Sequence, residues 1–406
     1  MNTKNTRWLI TKNQPEADDS VQEWVDWFWA SFLPDWVERA RDPAGFGFFD
    51  LLDENAQPAQ PDRRSLLAQA RLLFTFSHLA LLSNNTVYHD AARVAYQSLP
   101  AFRKAPGLYC RARSEKGQPT ETPDDELAYG YDQSFVILGL VTWGRLHPDE
   151  DVEPELEACW SSIENRLTDP ATGLILEHDG LTDPAAATAP YRAQNPHMHL
   201  YEAALQAYEM TDKQAWLERA KQMRAKGLEY FFDQDSGTIT EFLAPDLSTL
   251  PGRDGQRREI GHQCEWAWLL MREADLGGDQ SVRDTAAQLL AFADQHGFAR
   301  ENEMQGAAFD AVAADTSWRE ERFLLWPQTE AIKTYAIRKD EAGYAQKGQD
   351  LALLIFRRYF AGHAAFVNQL DANGQPLWPD ALSRLHYHLV LALTEGVRAK
   401  LWQGPG

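Results

Sequence analysis

A buried helix with polar groups at its start is predicted by the stretch Ile260-Gly261-His262-Gln263-Cys264-Glu265-Trp266-Ala267-Trp268-Leu269-Leu270. His262 and Glu265 are three residues apart, which places both side chains on one helix face about a turn apart. Trp266 and Leu269 fall on the same face. A histidine and a carboxylate beside an aromatic wall suit a site for a small polar substrate. The alternative is an ordinary histidine at a helix start followed by a solvated first-turn acid, which favours the helix dipole.

This helix belongs to a repeated pattern of paired helices. Apolar residues recur at helical spacing over 258–276, and the short link Gly277-Gly278-Asp279 leads into a second helix over 279–296. Two helices joined by so short a link form a helical hairpin. The same periodicity predicts about twelve helices, over 20–41, 63–82, 85–98, 126–146, 151–166, 194–211, 213–232, 258–276, 279–296, 326–338, 340–360 and 381–399. Pro34 is expected to kink the first of them.

Long irregular segments rich in Gly, Pro and Asp follow every second helix, near 106–125, 168–193, 233–257, 297–324 and 361–380. In a closed ring of hairpins these segments would all emerge at one end, where a pocket would form. A helical solenoid is the alternative, but solenoid repeats share a sequence period, and none is visible. We therefore predict an all-α fold, an (α/α)6 barrel of about twelve helices in six hairpins. It is expected to form one domain over residues 1–406, with 1–17 as a polar N-terminal extension.

The composition favours an uncharged ligand and argues against several classes of function. A net charge of −21 over 406 residues disfavours nucleic acid and anionic membrane surfaces, because both bind basic patches. No apolar run approaches the ~18 residues of a membrane span, and the polar N-terminus lacks a secretion signal. Cys110, Cys159 and Cys264 are too widely separated for a zinc motif or a disulfide framework. We expect a cytoplasmic protein that binds neither nucleic acid nor membranes.

Three other helix starts carry unusual polar residues. Arg71 lies in an otherwise apolar helix, where it needs either a ligand oxygen or a salt-bridge partner. His199 and Glu202 repeat the spacing of His262 and Glu265. His386 and His388 are two residues apart, so at most one of them points into a shared pocket. Histidines on three separate helices converge only if those helix starts face one mouth, and a ring of hairpins supplies that geometry.

Two further stretches are aromatic. Leu325-Trp326-Pro327-Gln328-Thr329-Glu330 opens a helix, and Leu377-Trp378-Pro379-Asp380 ends the irregular segment before the last helix. Tryptophans at a pocket rim stack on the apolar faces of sugar rings, although both could equally plug the barrel.

The histidines are consistent with two kinds of chemistry. The spacing His-x-x-Glu resembles half of a carboxylate-bridged helical metal site, but each pair lacks a second acidic cluster in the sequence. Proton transfer needs only imidazoles near their unperturbed pKa of about 6.5, which can take and return a carbon-bound proton. We therefore expect acid/base chemistry with no metal and no cofactor.

The order of these motifs resembles the N-acylglucosamine 2-epimerase superfamily over about residues 40–395. The stretches that carry the resemblance are Gln69-Ala70-Arg71, Tyr131-Asp132-Gln133-Ser134-Phe135, Met198-His199-Leu200-Tyr201-Glu202, Gly261-His262-Gln263-Cys264-Glu265-Trp266, Trp326-Pro327-Gln328-Thr329-Glu330 and Tyr387-His388-Leu389. The resemblance implies an (α/α)6 barrel with metal-independent sugar isomerase or 2-epimerase chemistry through a cis-enediol.

The resemblance also implies roles for individual residues. His262 and His388 match the acid/base pair of the family, and Arg71, His199 and Glu265 match positions that contact the sugar or assist ring opening. Tyr131, Trp326, Gln328, Trp378 and Asp380 complete the expected substrate-binding set. His197 and His386 lie beside the family histidines and are candidates for supporting positions.

The motifs are most similar to the mannose isomerase branch of the family. The predicted function is therefore an aldose–ketose isomerase of carbohydrate metabolism that interconverts D-mannose and D-fructose, as a monomer or homodimer. The alternatives are a 2-epimerase acting on cellobiose or an N-acyl sugar, and a non-enzymatic carbohydrate-binding barrel. A glycoside hydrolase on the same barrel needs two carboxylates at the bond, and the motifs offer histidines there instead.

Overall fold

The computed structural model describes residues 13–16, 18–83 and 85–405 of the chain. Helices dominate it, which confirms the all-α prediction. The predicted polar extension, residues 1–17, lies for the most part outside the described residues. The helices are α1 (Val21–Trp27), α2 (Leu33–Ala40), α3 (Leu66–Leu82), α4 (Thr86–Ser98), α5 (Gly130–Leu146), α6 (Glu153–Arg166), α7 (Asn195–Thr211), α8 (Gln214–Phe231), α9 (Gly252–Gln256), α10 (Ile260–Asp275), α11 (Val282–His296), α12 (Leu325–Ile337), α13 (Tyr344–Ile355) and α14 (His386–Arg398).

The long helices form two concentric rings. Helices α3, α5, α7, α10, α12 and α14 contact one another in that order, and α14 packs against α3, which closes the inner ring. Each of α4, α6, α8, α11 and α13 packs outside as the second helix of a hairpin. This is the (α/α)6 barrel that the sequence predicts.

The sixth pair joins the two ends of the chain. The last inner helix, α14, has no following hairpin partner, and the N-terminal helical segment covers it instead. Trp36 of α2 lies 3.9 Å from the ring of His386 at the start of α14, measured between ring centroids. The backbone N–H of Gln403 donates to Oε1 of Gln22. Five hairpins are therefore sequential, and the sixth forms only when the ring closes.

Burial distinguishes the two rings. The inner helices are buried on nearly every face, because they pack against both neighbours and against the outer ring. Outer helices such as α4 bury one stripe and expose the other. Gly139 of α5 allows its helix to approach α3 closely, since a Cβ there would lie 3.0 Å from the carbonyl oxygen of Ala70.

The predicted kink near Pro34 takes the form of a π-helical turn over Phe28–Phe32, which separates α1 from α2. Pro34 itself occupies the first turn of α2, where its missing N–H leaves no intrahelical bond unmade. Phe28 and Phe32 of the turn pack on Phe360 from α13's C-terminal extension. The irregular turn therefore directs its aromatic rings into the core.

Short antiparallel strands connect the loops at one end of the barrel. The strands are β1 (Leu51–Leu52), β2 (Pro58–Ala59), β3 (Arg63–Ser65), β4 (Arg103–Lys104), β5 (Leu108–Tyr109), β6 (Ala112–Ser114), β7 (Arg192–Ala193), β8 (Phe232–Asp233), β9 (Thr238–Ile239), β10 (Phe242–Leu243), β11 (Arg257–Glu259), β12 (Ala311–Ala313), β13 (Phe323–Leu324), β14 (Gln369–Leu370), β15 (Pro376–Trp378) and β16 (Ala381–Leu382). Several pair a residue just before an inner helix with a neighbouring loop, as β3 does with β6 and β11 with β12.

Four inner helices begin later than the residues predicted from the sequence. The sequence places their starts at 63, 126, 258 and 381, whereas the helices begin at Leu66, Gly130, Ile260 and His386. At three of these starts, the residues before the helix are used in strand pairing, as β3, β11 and β16 show. Helical periodicity cannot register such pairing, because the partner strand is distant in sequence. Within the described ranges, none of the helices combines the length and apolar character that a membrane span requires.

Candidate active site

One cavity opens at the end of the barrel where the inner helices begin. Its volume is about 760 Å³. Eight of the residues predicted from sequence line it: Arg71, Tyr131, His199, His262, Glu265, Trp326, Trp378 and His388. They come from α3, α5, α7, α10, α12, α14 and the loop before α14. Convergence of helix starts on one mouth, which the sequence predicts, is therefore what the fold produces.

Two predicted substrate-binding residues do not line the cavity. The side-chain amide of the fully buried Gln328 is bound to the backbone of Ala308 and Leu324, so it is used within the fold. Asp380 accepts a hydrogen bond from the indole N–H of Trp378 at 3.2 Å. Its structural contact is therefore with the tryptophan that lines the mouth.

Gln328 belongs to a recurrent structural contact that the sequence analysis missed. On four inner helices a glutamine amide accepts from the backbone N–H of one extended loop residue and donates to the carbonyl oxygen of the same residue. The pairs are Gln69 with Phe48, Gln133 with Tyr109, Gln263 with Ile239, and Gln328 with Ala308. Each glutamine joins a loop to an inner helix and so holds the cavity wall in place.

The residue two positions after each such anchor faces the barrel interior. His197 and His386 occupy the equivalent positions on the remaining two inner helices, where His197 binds the backbone N–H of Ile175 and neither ring nitrogen of His386 has a hydrogen-bond partner among the described residues. The interior residues are Arg71, Phe135, His199, Glu265, Glu330 and His388. A three-residue pattern therefore recurs around the ring: a residue at the anchor position, one intervening residue, and a residue that faces the interior. No such repeat is evident from the sequence alone. It was missed because only two residues per helix carry it and their types vary.

Replacing the anchor Gln263 with leucine is expected to lower the free energy of unfolding by about 2–4 kcal/mol, because the N–H and C=O of Ile239 would be left buried without partners. Chemical denaturation measures this loss. The matched control is Gln288→Leu on the exposed face of neighbouring α11, which should leave the unfolding free energy nearly unchanged. Equal effects of the two substitutions would contradict the anchoring role.

The two histidines at anchor positions do not line the cavity. The ring Nε2 of His197 accepts from the backbone N–H of Ile175 at 2.9 Å, and burial lowers the pKa of His197 to about 4. His386 packs against Trp36 and Phe366, and burial lowers its pKa to about 3. Both histidines are therefore neutral parts of the packing, and the supporting role expected for them is structural.

His262 is held between two carboxylates. Its Nδ1 lies 2.7 Å from Oε2 of Glu241 and 3.3 Å from Oε2 of Glu259. Burial disfavours a charged imidazole, but the two carboxylates outweigh burial and raise the pKa of His262 to about 10. Burial and Glu241 in turn raise the pKa of Glu259 to about 7. His262 is therefore an imidazolium near neutral pH, able to donate a proton into the cavity.

His388 has the opposite electrostatic environment. Its Nδ1 lies 2.7 Å from Oε1 of Glu330, and Nη1 of Arg71 lies 3.4 Å from its Nε2. Burial, together with the positive charges of Arg71 and Lys333, holds the pKa of His388 well below its usual value. Arginine donates but never accepts hydrogen bonds, so Nε2 faces it as an acceptor. His388 is therefore a neutral imidazole with an available lone pair.

Trp326 lies between the two histidines. Its ring centroid is 4.8 Å from that of His262 and 5.9 Å from that of His388. Gly261 makes this position possible, because a Cβ at residue 261 would lie 2.3 Å from Cζ3 of Trp326. The indole thus forms a shared wall flanked by one charged and one neutral imidazole.

Arg71 is enclosed by aromatic rings. Its guanidinium carbon lies 4.1 Å from the ring centroid of Phe135 and 4.8 Å from that of Tyr387, and it donates to the hydroxyl of Tyr131 at 2.6 Å. The cation–π contacts stabilise a buried positive charge that has no carboxylate partner in the described part of the chain. Arg71 is therefore positioned to bind a substrate oxygen beside His388.

Two buried carboxylates lie near the cavity, Glu265 in its lining and Glu202 behind His199. Glu202 accepts from the hydroxyl of Tyr387 and lies 3.1 Å from Nδ1 of His199. Neither carboxylate oxygen of Glu265 has a hydrogen-bond partner among the described residues, although Nζ of Lys333 lies 3.8 Å away. A buried carboxylate with unmet acceptors beside a cavity is suited to bind hydroxyl groups.

Three groups of side chains bring possible metal ligands within 4.8 Å of one another: His199 with Glu202 and Glu265, Glu241 with Glu259 and His262, and Glu265 with Glu330 and His388. Nitrogen and oxygen ligands about 2.0 Å from one tetrahedral zinc lie roughly 3.3 Å apart. The 2.7 Å contacts of His262 and His388 are shorter and have the length of hydrogen bonds. The geometry favours charge-assisted hydrogen bonds in these groups.

The sequence analysis missed four charged residues of the site. Glu241 and Glu259 contact His262, while Glu330 and Lys333 lie beside His388 or its partner. Glu330 could have been found, since it follows Gln328 at the spacing at which Glu265 follows Gln263. Glu241 lies in an irregular loop and carries no comparable local signal.

Comparisons with known proteins identify the family of the chain. The model of a family described as N-acylglucosamine 2-epimerase (GlcNAc 2-epimerase) matches residues 47–392. The chain is 28% identical to a mannose-6-phosphate isomerase of Rhizobium meliloti (strain 1021), over 92% of this chain and 95% of that protein. It is 25% identical to a D-mannose isomerase of Marinomonas mediterranea, over 75% and 78%. A cellobiose 2-epimerase from Bacillus thermoamylovorans superimposes with a TM-score of 0.78 at 16% identity, over 90% and 95%.

Proposed function

Because the chain belongs to the N-acylglucosamine 2-epimerase family, we propose that it is an aldose–ketose isomerase that interconverts D-mannose and D-fructose. Family membership and its relatives make it a sugar isomerase or epimerase. The observation that supports proton-transfer chemistry is the pair of histidines on either side of Trp326, with His262 beside two carboxylates and His388 beside Arg71. A carbon-bound proton next to a carbonyl is moved most readily by one base and one acid acting together.

In the proposed reaction His388 is the base. Nε2 of neutral His388 removes the proton from C2 of open-chain mannose, and the electron pair forms the cis-enediol as the C1 carbonyl oxygen gains a proton. Protonated His262 donates to that oxygen, where negative charge develops. His388 then returns its proton to C1, the now neutral His262 takes the proton from O2 and becomes an imidazolium again, and the C2 carbonyl of fructose forms. Arg71, His199 and Glu265 hold the hydroxyl groups in line.

A 2-epimerase is the alternative within the same site. Epimerisation needs a second group to return the proton to C2 from the opposite face, and protonated His262 opposite His388 is such a donor. The similarity to a cellobiose 2-epimerase fold leaves both outcomes chemically open. In the isomerase the proton goes to C1, whereas in the epimerase it returns to C2. Product analysis therefore distinguishes the two reactions.

A phosphorylated hexose is a second candidate substrate. Arg384 lines the cavity with an exposed side chain, and it forms no salt bridge with a carboxylate of the described residues. The positive charge of Arg71 lies close to it, and a ligand anion would offset the repulsion between the two. A relative named for mannose 6-phosphate is consistent with this possibility.

The test is product analysis in deuterated water on D-mannose, D-mannose 6-phosphate, cellobiose and N-acetylmannosamine in parallel, with and without a metal chelator. The proposal predicts fructose, formed equally well with chelator, that carries solvent deuterium at C1 to the extent that the proton on His388 exchanges with solvent before it is returned. Deuterium at C2 of an epimeric aldose would establish the epimerase instead. Binding of mannose without any isotope exchange would support a carbohydrate-binding barrel, and loss of activity on chelation would contradict the metal-independent mechanism.

A further inference from the structure

Lys333 lies inside the barrel, one helical turn below Glu330 on α12, and its side chain is fully buried. Its ammonium group forms an ion pair with Oε2 of Glu330 and lies 3.8 Å from Oε1 of Glu265. The ring of Trp268 covers it at 4.1 Å, measured from Nζ to the centroid. Lysines are almost never fully buried unless they are paired. The burial of Lys333 between two carboxylates beside the cavity therefore requires a physical explanation.

The surrounding charges give that reason. Three buried carboxylates, Glu202, Glu265 and Glu330, come from three different inner helices and lie close enough for each to affect the others. Like charges in a buried site cannot all ionise unless a cation offsets their repulsion. Lys333 is a cation in direct contact with one of them, and Arg71 lies on the far side of His388. Removing Lys333 would favour protonation of Glu330, the carboxylate that it contacts.

Protonation of Glu330 would change the tautomer of His388. As a carboxylate, Glu330 accepts the Nδ1–H of His388 and leaves Nε2 with a lone pair that faces Arg71 and the cavity. As a carboxylic acid, Glu330 would donate its O–H to Nδ1, and the ring proton would then reside on Nε2. In that form Nε2 could not accept a proton from the substrate.

We propose that Lys333 is a positioning residue of the reaction: its ammonium group keeps Glu330 ionised, so that Nε2 of His388 remains the free base that faces the substrate. This inference rests on the proposed function, in which His388 removes a carbon-bound proton. Lys333 touches neither substrate nor reacting atoms. It acts through an ion pair between Nζ of Lys333 and Glu330 and a hydrogen bond between Glu330 and Nδ1 of His388.

The charges facing this relay act on Glu330 in opposite directions. Burial and Glu265 raise the pKa of Glu330 well above its usual value, and Lys333 is the direct contact that lowers it. The charged and titratable groups around Glu330 and His388 are Glu202 and His199 of α7, Glu265 and His262 of α10, Arg71 of α3 and Lys333 of α12. Lys333 is the cation of this set that contacts Glu330 directly.

The test is the pH dependence of turnover in Lys333→Met, which keeps the length and apolar stem of the side chain. Near neutral pH we expect kcat to fall about 10²-fold, toward the loss that follows removal of a general base, with KM nearly unchanged. The loss should shrink as the pH rises, because Glu330 ionises again at higher pH and restores the free Nε2. A merely structural defect would not recover with pH. The matched control is Lys347→Met on the exposed face of α13, which should behave as wild type.

A double-mutant cycle with Glu330→Gln locates the effect. The amide cannot ionise, so Lys333→Met should cause no further loss of kcat in that background. A loss that is uniform across the pH range, or one that adds fully to that of Glu330→Gln, would overturn the proposal.

A measurement on the wild-type protein covers the case in which Lys333→Met does not fold. Nitrogen-15 spectra of the histidines, with the His388 signal identified by its absence in His388→Asn, should show His388 as the Nδ1–H tautomer from pH 6 to pH 8. An Nε2–H tautomer would overturn the proposal. This measurement needs no substrate, so its result is independent of whether mannose is isomerised. Failure of the proposed function would appear separately, in the product analysis.

Discussion

The His388→Asn variant is expected to keep its fold while kcat falls by about 10²–10⁴-fold, the usual contribution of a positioned general base. His388 presents Nε2 to the cavity as a lone pair, and the side-chain amide of asparagine cannot accept the proton at C2. KM should change far less than kcat, because the imidazole acts on the chemical step and the hydroxyl-binding groups remain. Steady-state kinetics on the substrate identified by product analysis measures both.

The neighbouring His386 supplies the control for this variant. His386→Leu removes an imidazole from the same helix at a position that faces Trp36 instead of the cavity, so kcat should stay near the wild-type value. The low pKa of His388 adds a prediction about pH. A base loses activity when it is protonated, and a lowered pKa moves that loss to more acidic pH, so the wild-type acid limb should lie below pH 6.5. Full activity of purified His388→Asn would remove His388 from the mechanism.

The second large effect is expected at His262, which is proposed to donate a proton where His388 accepts one. His262→Asn should lower kcat by about 10²–10⁴-fold, since the donor to the developing oxyanion is lost. The origin of its raised pKa gives a finer test. Two carboxylates keep His262 protonated. Glu241, 2.7 Å from Nδ1 of His262, is the nearer of the two.

Glu241→Gln is expected to move the alkaline limb of the kcat profile toward neutral pH. An acid loses activity when it is deprotonated, and wild-type His262 stays protonated up to a pKa of about 10. Without Glu241 burial weighs more heavily, the pKa of His262 falls, and activity is lost at lower pH. Glu259→Gln should cause a smaller shift, because that carboxylate is 3.3 Å from Nδ1. An alkaline limb that stays in place in Glu241→Gln would show that another group donates the proton.

Much of the fold could be predicted because it depends on local pattern. Helical periodicity located every long helix, and the short links identified hairpins. The starts at Leu66, Ile260 and His386 were predicted too early because β3, β11 and β16 pair with loops distant in sequence. The pairing of α14 with the N-terminal helices also had no local sign, since it joins opposite ends of the chain.

The candidate site was predictable in part for the same reason. His199, His262 and His388 stood out because polar residues at apolar helix starts are unusual. Gln328 stood out equally, yet its amide binds the backbone of Ala308, while Glu330 two residues later contacts His388. The sequence alone does not show that Gln328 has a structural role and that Glu330 contacts His388. Both lie on the same helix, and they differ only in which neighbour each side chain faces.

The sequence by itself determined the helices, their order and the set of polar residues at the starts of the inner ones. Only the tertiary structure decided that His262 is charged and His388 neutral. A protonation state depends on burial and on charges a few ångströms away, and those charges belong to other hairpins. Glu241 approaches His262 from a loop, while Glu330 and Arg71 approach His388 from α12 and α3. Two histidines that look alike in the sequence thus have pKa values shifted in opposite directions by their neighbours in space.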